Sequence, residues 1–133
     1  YLVKHNNKIV DATGRSLNER KPKWRRYGNN KYPFVCGTSH TLFIVEDCPS
    51  ACCVSFSVSG LSLMGTTLLD EYIDIIKNYE KVFVALDKDA TSKAYIMMRK
   101  LRNYVPTKLI VLNKDLKDME RGERNEFIRR YID

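Results

Sequence analysis

No stretch of this sequence is apolar for long enough to span a membrane, and no signal-peptide pattern stands at its start. There are no internal repeats and no low-complexity tracts. A Gly-x-x-x-x-Gly-Lys-Ser/Thr phosphate loop is also missing, which argues against a helicase motor within these residues. We therefore expect a globular protein located in the cytoplasm, without a membrane partner.

Cysteine is scarce and is not arranged as in a zinc site. None of the four cysteines forms a Cys-x-x-Cys pair, and only His5 and His40 could complete a ligand set. Cys48 and Cys52 are one helical turn apart, so a metal or redox pair is the alternative. Small buried thiols in a reducing cytosol are the better interpretation, and we expect no zinc in this chain. The cysteines are Cys36, Cys48, Cys52 and Cys53.

The composition is that of a folded domain. Of the 133 residues, 44% are hydrophobic and 11% aromatic, which suits one domain with one real core and excludes a disordered segment. The first residue is Tyr1 rather than Met, and the segment 1–7 reads as a linker. We therefore expect a piece of a longer protein.

The charge is basic and is concentrated near the start. The net charge is +7, from 23 Lys and Arg against 16 Asp and Glu, which favours a polyanionic partner. Between Arg15 and Lys31 there are seven cations and a single acid, with Trp24 and Tyr27 among them and Tyr32 directly after them. Cations for phosphates that alternate with rings for bases suit single-stranded nucleic acid. A solvated basic loop explains the same segment equally well.

The rest of the chain is organised around a buried strand that ends in two acids. The apolar run Val82–Leu86 has the length and β-branched content of a buried strand, and Asp87 and Asp89 follow it. Apolar residues at helical spacing come next, with Thr91 and Ser92 as candidate caps. Two carboxylates at the carboxyl end of a strand repel one another unless a cation lies near them, and Mg²⁺ prefers such oxygens.

Strands alternate with helices along the chain, which predicts a mostly parallel sheet of about four strands flanked by helices. The expected strands are 41–45, 61–64, 82–86 and 109–112. The expected helices are 49–56, 68–79, 91–104 and 123–131. Before them, 8–17 reads as a strand, an Asp/Gly turn and a returning strand. We place a basic β-rich lobe at 1–37 and the main domain at 38–133, with the boundary near Gly37.

Three of these strands end in acids: Glu46 follows one, Asp87 and Asp89 another, and Asp115 the last. On one edge of a parallel sheet they would form a carboxylate cluster. A salt-bridge network with Lys88, Lys93 and Lys114 is the structural alternative. Gly65-Thr66-Thr67 is expected to open a helix at the same edge, where free amide groups attract phosphate, although taken alone an ordinary capped helix start is the better interpretation. Jointly these features predict phosphoryl transfer on nucleotides or nucleic acid.

The order of these motifs resembles the Toprim domain, which primases, topoisomerases and several nucleases share. The segments Ile44-Val-Glu46-Asp47-Cys-Pro-Ser50-Ala51 and Leu63-Met-Gly65-Thr66-Thr67-Leu68 are most similar to phage primases and primase–helicases. Gly14-Arg15 and Lys21-Pro22-Lys23-Trp24 resemble the basic segment before Toprim in bacterial replicative primases. The resemblance covers about 15–118 and implies a Toprim-like Rossmannoid fold.

The resemblance implies a DNA primase that copies single-stranded DNA into short RNA primers from nucleoside triphosphates, with a replicative helicase as a further partner, in a phage-infected bacterial cell. It implies Mg²⁺ or Mn²⁺ as the cofactor. The implied catalytic residues are Glu46, Asp87 and Asp89, which with Asp115 also form the metal site. The implied nucleotide- and phosphate-binding residues are Arg15, Lys23, Gly65, Thr66 and Lys93. The implied nucleic-acid-binding residues are Arg20, Lys21, Trp24, Arg25 and Arg26.

The chain also departs from the family pattern. Ser50 stands where many bacterial primases carry a second acid, and Thr91 stands where topoisomerases carry a third aspartate, which argues against a topoisomerase. The same acids would serve a Toprim nuclease with a water nucleophile, or a binding module without catalysis. The basic segment before Glu46 favours the primase, because Toprim nucleases generally resemble one another only from the glutamate onward.

Overall fold

A computed structural model of the chain describes residues 1–18, 21–28 and 31–132. They contain a small sheet and a larger one flanked by helices. The strands are β1 (Leu2–His5), β2 (Lys8–Arg15), β3 (Trp24–Arg26), β4 (Phe34–Cys36), β5 (Thr41–Val45), β6 (Ser59–Ser62), β7 (Lys81–Val84) and β8 (Thr107–Leu109). The helices are α1 (Cys48–Val54), α2 (Asp70–Ile76), α3 (Thr91–Leu101) and α4 (Arg121–Ile132). Short 3-10 turns lie at Lys88–Ala90 and Leu116–Asp118.

The larger sheet has the strand order β4-β6-β5-β7-β8, and its β6, β5, β7 and β8 run parallel. The predicted α/β class with a mostly parallel sheet is therefore confirmed. The prediction of about four strands omitted β4, which pairs antiparallel with β6 at the edge. The sequence assigned these residues to the basic lobe, but β4 is hydrogen-bonded into the larger sheet, and its Phe34 is buried.

Side chains of the central strands alternate between two apolar layers. Leu42 and Ile44 of β5 pack on the side of α2 and α3, whereas Phe43 and Val45 pack on the opposite side with α1 and α4. Because both faces are covered, β5 and β7 are buried and continuously apolar, as parallel strands usually are. The two layers fix the positions of the strand ends, where the acids lie.

The small sheet has the order β1-β2-β3 and is antiparallel throughout. Two expectations about it were wrong: the first residues are not a linker but include strand β1, and 8–17 is not a hairpin. The turn lies at Asn6 and Asn7, whose φ angles are 52° and 64°. Asparagine tolerates these left-handed angles, which a two-residue hairpin turn requires. No turn is needed at Gly14, which continues strand β2.

None of the helices among the described residues has the length and apolar composition needed to cross a bilayer. All four cysteines are free thiols. The expectation of buried thiols holds for Cys48, in which burial raises the pKa to about 12. The other three are half-buried.

Candidate active site

Glu46 and Asp87 lie side by side because the strands that they follow are neighbours. Strands β5 and β7 pair in parallel, and the ladder continues beyond β7 through a 2.9 Å hydrogen bond from the Ala85 amide to the Ile44 carbonyl. The Glu46 backbone carbonyl accepts two hydrogen bonds of 3.1 Å, one from the Ser62 hydroxyl and one from the Gly65 amide. The backbone of the glutamate is therefore fixed at the carboxyl edge of the sheet.

Both carboxyl groups bind protons more tightly than an ordinary carboxyl group does. Burial, followed by the charge of Asp87 and contact with its carboxyl group, raises the pKa of Glu46 to about 7. Burial and the charge of Asp115 raise the pKa of Asp87 above its ordinary value. Asp89 is exposed, and its charge raises the pKa of Glu46 further. Near neutral pH this site therefore takes up either a proton or another cation.

The countercharge at this edge comes from Lys117, a residue that no sequence pattern singles out. Its Nζ lies 2.5 Å from Oδ2 of Asp47, and the charges of Asp87 and Asp115 also raise the pKa of Lys117. The lysines expected to neutralise the cluster have other partners: Lys93 donates to the Thr66 hydroxyl at 3.2 Å, and Lys114 lies 3.7 Å from Glu123. Lys117 is brought in by the 3-10 turn that follows Asp115.

Asp47, next to the candidate catalytic glutamate, both caps a helix and binds this lysine. Its Oδ1 accepts a 2.9 Å hydrogen bond from the Ser50 amide at the start of α1. The hydrogen bonds from Lys117 and Ser50 hold the pKa of Asp47 below its ordinary value, against the opposing effect of burial. Asp47 is thus ionised and committed to structure, while Glu46 beside it keeps its proton to higher pH.

The residues fit a divalent cation held by two carboxylates. Oε1 of Glu46 and Oδ1 of Asp115 are buried without a hydrogen-bond partner in the described part of the chain. Within 1–18, 21–28 and 31–132, no group of three or more His, Cys, Asp or Glu side chains is close enough to hold a metal by itself. Mg²⁺, however, commonly binds one or two carboxylates and takes its other ligands from water and substrate phosphates. Glu46 and Asp87 meet that requirement, with Asp89 and Asp115 nearby.

The small sheet faces these acids across a cavity of about 370 Å³. Arg15, Lys23 and Trp24 line it from the small sheet, and Glu46 and Asp87 line it from the larger one. The guanidinium group of Arg15 lies 5.4 Å from the centre of the Trp24 ring. A ring and two cations therefore face the two carboxylates, which suits a ligand with an aromatic part and phosphates bound with a metal ion.

The remaining residues predicted to bind nucleic acid are distributed differently. Lys21 and Arg25 are exposed, and Arg25 lies over the Tyr27 ring at 5.7 Å. Arg20 lies outside the described residues. These positions leave Lys21 and Arg25 accessible to a polyanion. Trp24 and Arg26 of the predicted nucleic-acid-binding set line the cavity together with Arg15 and Lys23.

Arg26 also lines the cavity, but its main contacts are structural. Its Nε donates to Oδ2 of the buried Asp11 at 2.8 Å, and its Nη2 donates to the same oxygen. Further hydrogen bonds reach the Tyr32 carbonyl at 3.2 Å and the Tyr72 hydroxyl of α2 at 3.4 Å. Arg26 therefore ties the small sheet to the main domain.

The predicted phosphate-binding helix start is wrong in one respect. Helix α2 begins at Asp70, so Gly65-Thr66-Thr67 is a loop and does not open the helix. The φ angles of Met64 and Gly65, 52° and 144°, are incompatible with a helix, and Leu69 directly before α2 is extended, with a ψ angle of 149°. The loop is nevertheless at the expected edge: Gly65 lines the cavity described above.

Thr66 and Lys93 line a second pocket of about 290 Å³ together with Glu46 and Asp89. Helix α3, which follows the two aspartates, begins without a side-chain cap, so the predicted caps Thr91 and Ser92 were wrong. A 3-10 turn precedes α3, and the Thr91 hydroxyl donates to the Lys88 carbonyl instead. The structure thus places all of the predicted phosphate-binding residues around two adjoining pockets that share Glu46.

No protein-family model, no curated protein and no solved structure matches this chain.

Proposed function

We propose that this chain is the catalytic core of a DNA primase of the Toprim class, which joins nucleoside triphosphates into short RNA on a single-stranded DNA template. The observation that carries the proposal is the cavity in which Arg15, Lys23 and Trp24 face Glu46 and Asp87. A nuclease needs the carboxylates and a path for a strand. A nucleotide polymerase also needs a place for a separate nucleotide, and this cavity has the side chains to bind one.

The cations and the ring have distinct tasks in binding the nucleotide. Arg15 and Lys23 are exposed side chains at the rim, where they would bind the β- and γ-phosphates. Trp24 is half-buried and offers a flat surface to the base. Fixing both ends of the nucleotide orients the α-phosphate between them toward the acids, which lowers the entropic part of the barrier.

Glu46 and Asp87 would hold Mg²⁺ or Mn²⁺, which when bound supplies positive charge against the α-phosphate and the leaving pyrophosphate. Glu46 also suits the transfer of a proton. In the metal-free site burial and the charge of Asp87 raise its pKa to about 7, so Glu46 can hold a proton near neutral pH and release it when a cation binds. Lys117 balances the negative charge of Asp87 when the nucleotide is absent.

Primer synthesis tests the proposal directly. The protein is incubated with single-stranded DNA, labelled nucleoside triphosphates and Mg²⁺ or Mn²⁺, beside the variant Asp87→Ala Asp89→Ala. We expect short labelled RNA from the wild-type protein and at least a hundredfold less from the variant. The matched control is Asp74→Ala Glu126→Ala, which removes two exposed acids with the same change in charge and should retain activity.

Nucleotide binding gives a second readout that does not require turnover. Trp24 is the only tryptophan in the chain, so its fluorescence reports on the cavity alone. Nucleoside triphosphate with Mg²⁺ should change that fluorescence, and Arg15→Gln should weaken the binding. Shortened DNA or RNA without incorporation of nucleotide would assign the site to a nuclease. The proposal would be overturned if the protein neither incorporated nucleotides nor bound them.

A further inference from the structure

The outer surface of α3 and the segments on either side of it carry an excess of positive charge, most of which the proposed function does not use. Between residues 88 and 108 the chain has six basic residues and one acid, Asp89. The basic residues are Lys88, Lys93, Arg99, Lys100, Arg102 and Lys108. All six are exposed, so this part of the surface attracts polyanions.

Large apolar side chains are exposed among these cations. Tyr95 is 48% exposed, Ile96 is 69% exposed and Tyr104, just after the helix, is 53% exposed. The guanidinium group of Arg99 lies 6.0 Å from the centre of the Tyr95 ring, so a cation and an aromatic surface are presented together. Other residues, including Met97 and Leu101, form the buried side of α3, so the core does not require the exposed side chains of Tyr95 and Ile96.

Most of this charge is not neutralised within the protein. Lys100 lies 3.2 Å from Asp70, in an exposed ion pair that is worth little. No carboxylate of the residues that the structure describes lies within 4.0 Å of the charged groups of Lys88, Arg99 or Arg102. A solvated helix face is usually balanced by acids at i±3 or i±4, and α3 contains no acid at all.

This surface is continuous with the candidate active site. Ser92 and Lys93, in the first turn of α3, line the pocket that contains Glu46 and Asp89. The helix then leads away from the acids, and residues 92, 96, 99 and 103 follow one another along its exposed side. From residue 92 to residue 99 the rise is about 10 Å, or about three nucleotides of a stacked strand.

We propose that the outer face of α3 binds single-stranded nucleic acid along its length and guides the strand to or from the acids. The inference rests on the proposed function for the presence of a strand at the acids. Charge complementarity argues for a polyanion, and the exposed Tyr95 ring argues for unpaired bases, because a base in a duplex has no free face for stacking. Arg99 contacts the phosphate backbone, and Tyr95 stacks on a base.

Binding of a fluorescent single-stranded oligonucleotide, measured by anisotropy, tests the inference. We expect Arg99→Glu to weaken binding at least tenfold. Arg130→Glu is the matched control, because Arg130 is an exposed arginine on α4 and its reversal changes the net charge equally. That control should change the affinity less than twofold. Arg99→Gln should lower the slope of log K against log salt by about 0.7, the value for one phosphate contact on a single strand.

Tyr95 separates stacking from charge. Tyr95→Ala should weaken binding about tenfold without a change in the salt slope, while Tyr95→Phe retains a ring and should bind as the wild-type protein does. Circular dichroism and the thermal midpoint verify that each variant is folded. Because Tyr95 and Arg99 are exposed, we expect both measurements to be unchanged.

Two sets of outcomes would overturn the inference. It fails if Arg99→Glu and Arg130→Glu weaken binding equally, or if Tyr95→Ala has no effect. It also fails if a polyglutamate peptide competes as well as the oligonucleotide, which would assign the face to an acidic protein. Oligonucleotide binding that depends on Arg99 and Tyr95, with neither nucleotide incorporation nor a Trp24 response to nucleoside triphosphate, would refute the primase proposal and leave this inference intact. Primer synthesis that neither Arg99→Glu nor Tyr95→Ala affects would refute this inference and leave the primase proposal intact.

Discussion

The carboxyl groups of Glu46 and Asp87 meet at the ends of two neighbouring parallel strands, close enough to share a proton. The register of β5 and β7 fixes the positions of both groups, which therefore do not depend on the conformation of a loop. Two carboxyl groups held together in this way destabilise the folded state when both are ionised. The cost is tolerated where a cation or a proton is required between them, which is the basis of the proposed chemistry.

The first prediction concerns the stability of the metal-free protein as pH rises. The pKa of Glu46 is about 7 in the folded state against an ordinary value of 4.5, so the folded state holds a proton that the unfolded state releases. The stabilisation from that proton is complete below pH 4.5 and is lost as pH rises through 7. After solvent screening we expect the loss to be about 1–2 kcal/mol, measured by urea unfolding at pH 5 and pH 8.

Glu46→Gln provides the comparison, because glutamine cannot ionise. In this variant the decrease between pH 5 and pH 8 should be smaller than in the wild-type protein, because the carboxyl group that releases its proton in this range is absent. The same substitution at the exposed Glu126 should leave the decrease unchanged. An identical pH dependence in wild type and Glu46→Gln would contradict the prediction.

The second prediction separates the two roles of Asp47. Asparagine also caps helices well, so Asp47→Asn keeps an acceptor for the Ser50 amide and loses only the charge that faces Lys117. Asp47→Ala loses both. We expect the free energy of unfolding of the alanine variant to lie about 1 kcal/mol below that of the asparagine variant, measured by chemical denaturation at pH 7. Equal values would mean that the cap contributes nothing to α1.

The acids at the strand ends could be predicted from the sequence because the information is local. An apolar run such as Val82–Leu86 is recognisable as a buried strand, and the residue after it must lie at the sheet edge. Glu46 and Asp87 were therefore expected where they are. Their mutual contact followed from the parallel arrangement, which the alternation of strands and helices predicts.

The countercharge and the cavity could not be predicted in this way. Lys117 reaches Asp47 across 70 positions of the sequence, and no periodic pattern encodes such a pair. Of the lysines that were expected to neutralise the acids, Lys93 donates to Thr66 and Lys114 pairs with Glu123. The cavity likewise depends on how the small sheet is placed, and that placement rests on the bonds of Arg26 to Asp11 and Tyr72.

The short-range errors have a different cause. The helix expected at Gly65-Thr66 fails because of two positive φ angles, and one of them belongs to Met64, a residue that gives no sign of a turn. The first hairpin was misplaced because Asn6-Asn7 and the Asp/Gly pair of 11–14 are both turn signals. Only the pairing of β2 with β3 decides that Gly14 continues a strand.

The third prediction concerns the ion pair between Asp11 and Arg26. The Asp11 side chain is fully buried, so its removal leaves the Arg26 guanidinium without its carboxylate partner at the junction of the two sheets. We expect Asp11→Ala to lower the free energy of unfolding by about 3 kcal/mol, measured with urea. Asp74→Ala breaks an exposed ion pair with Lys77 and should cost less than about 0.5 kcal/mol. Similar losses in the two variants would contradict the structural role of Arg26.

The last prediction tests the packing of α1 on the sheet with a pair of glycines. A Cβ atom at Gly60 in β6 would lie 2.3 Å from the Ala51 carbonyl oxygen, and backbone atoms cannot move aside as a flexible side chain can. Gly60→Ala should therefore lower the free energy of unfolding by more than about 4 kcal/mol, because α1 must shift away from the sheet. That shift would also move Asp47 and Glu46, since both lie in the connection between β5 and α1.

Gly122 offers the matched substitution. It lies in α4, and a Cβ atom there meets no other atom within 4 Å. Alanine favours the helix over glycine, so Gly122→Ala should raise the free energy of unfolding by about 0.5–1 kcal/mol in the same urea titration. The two variants make the same chemical change with opposite expected signs. If Gly60→Ala is as stable as the wild-type protein, α1 does not pack on β6 as described, and the position of Glu46 at the sheet edge would have to be revised.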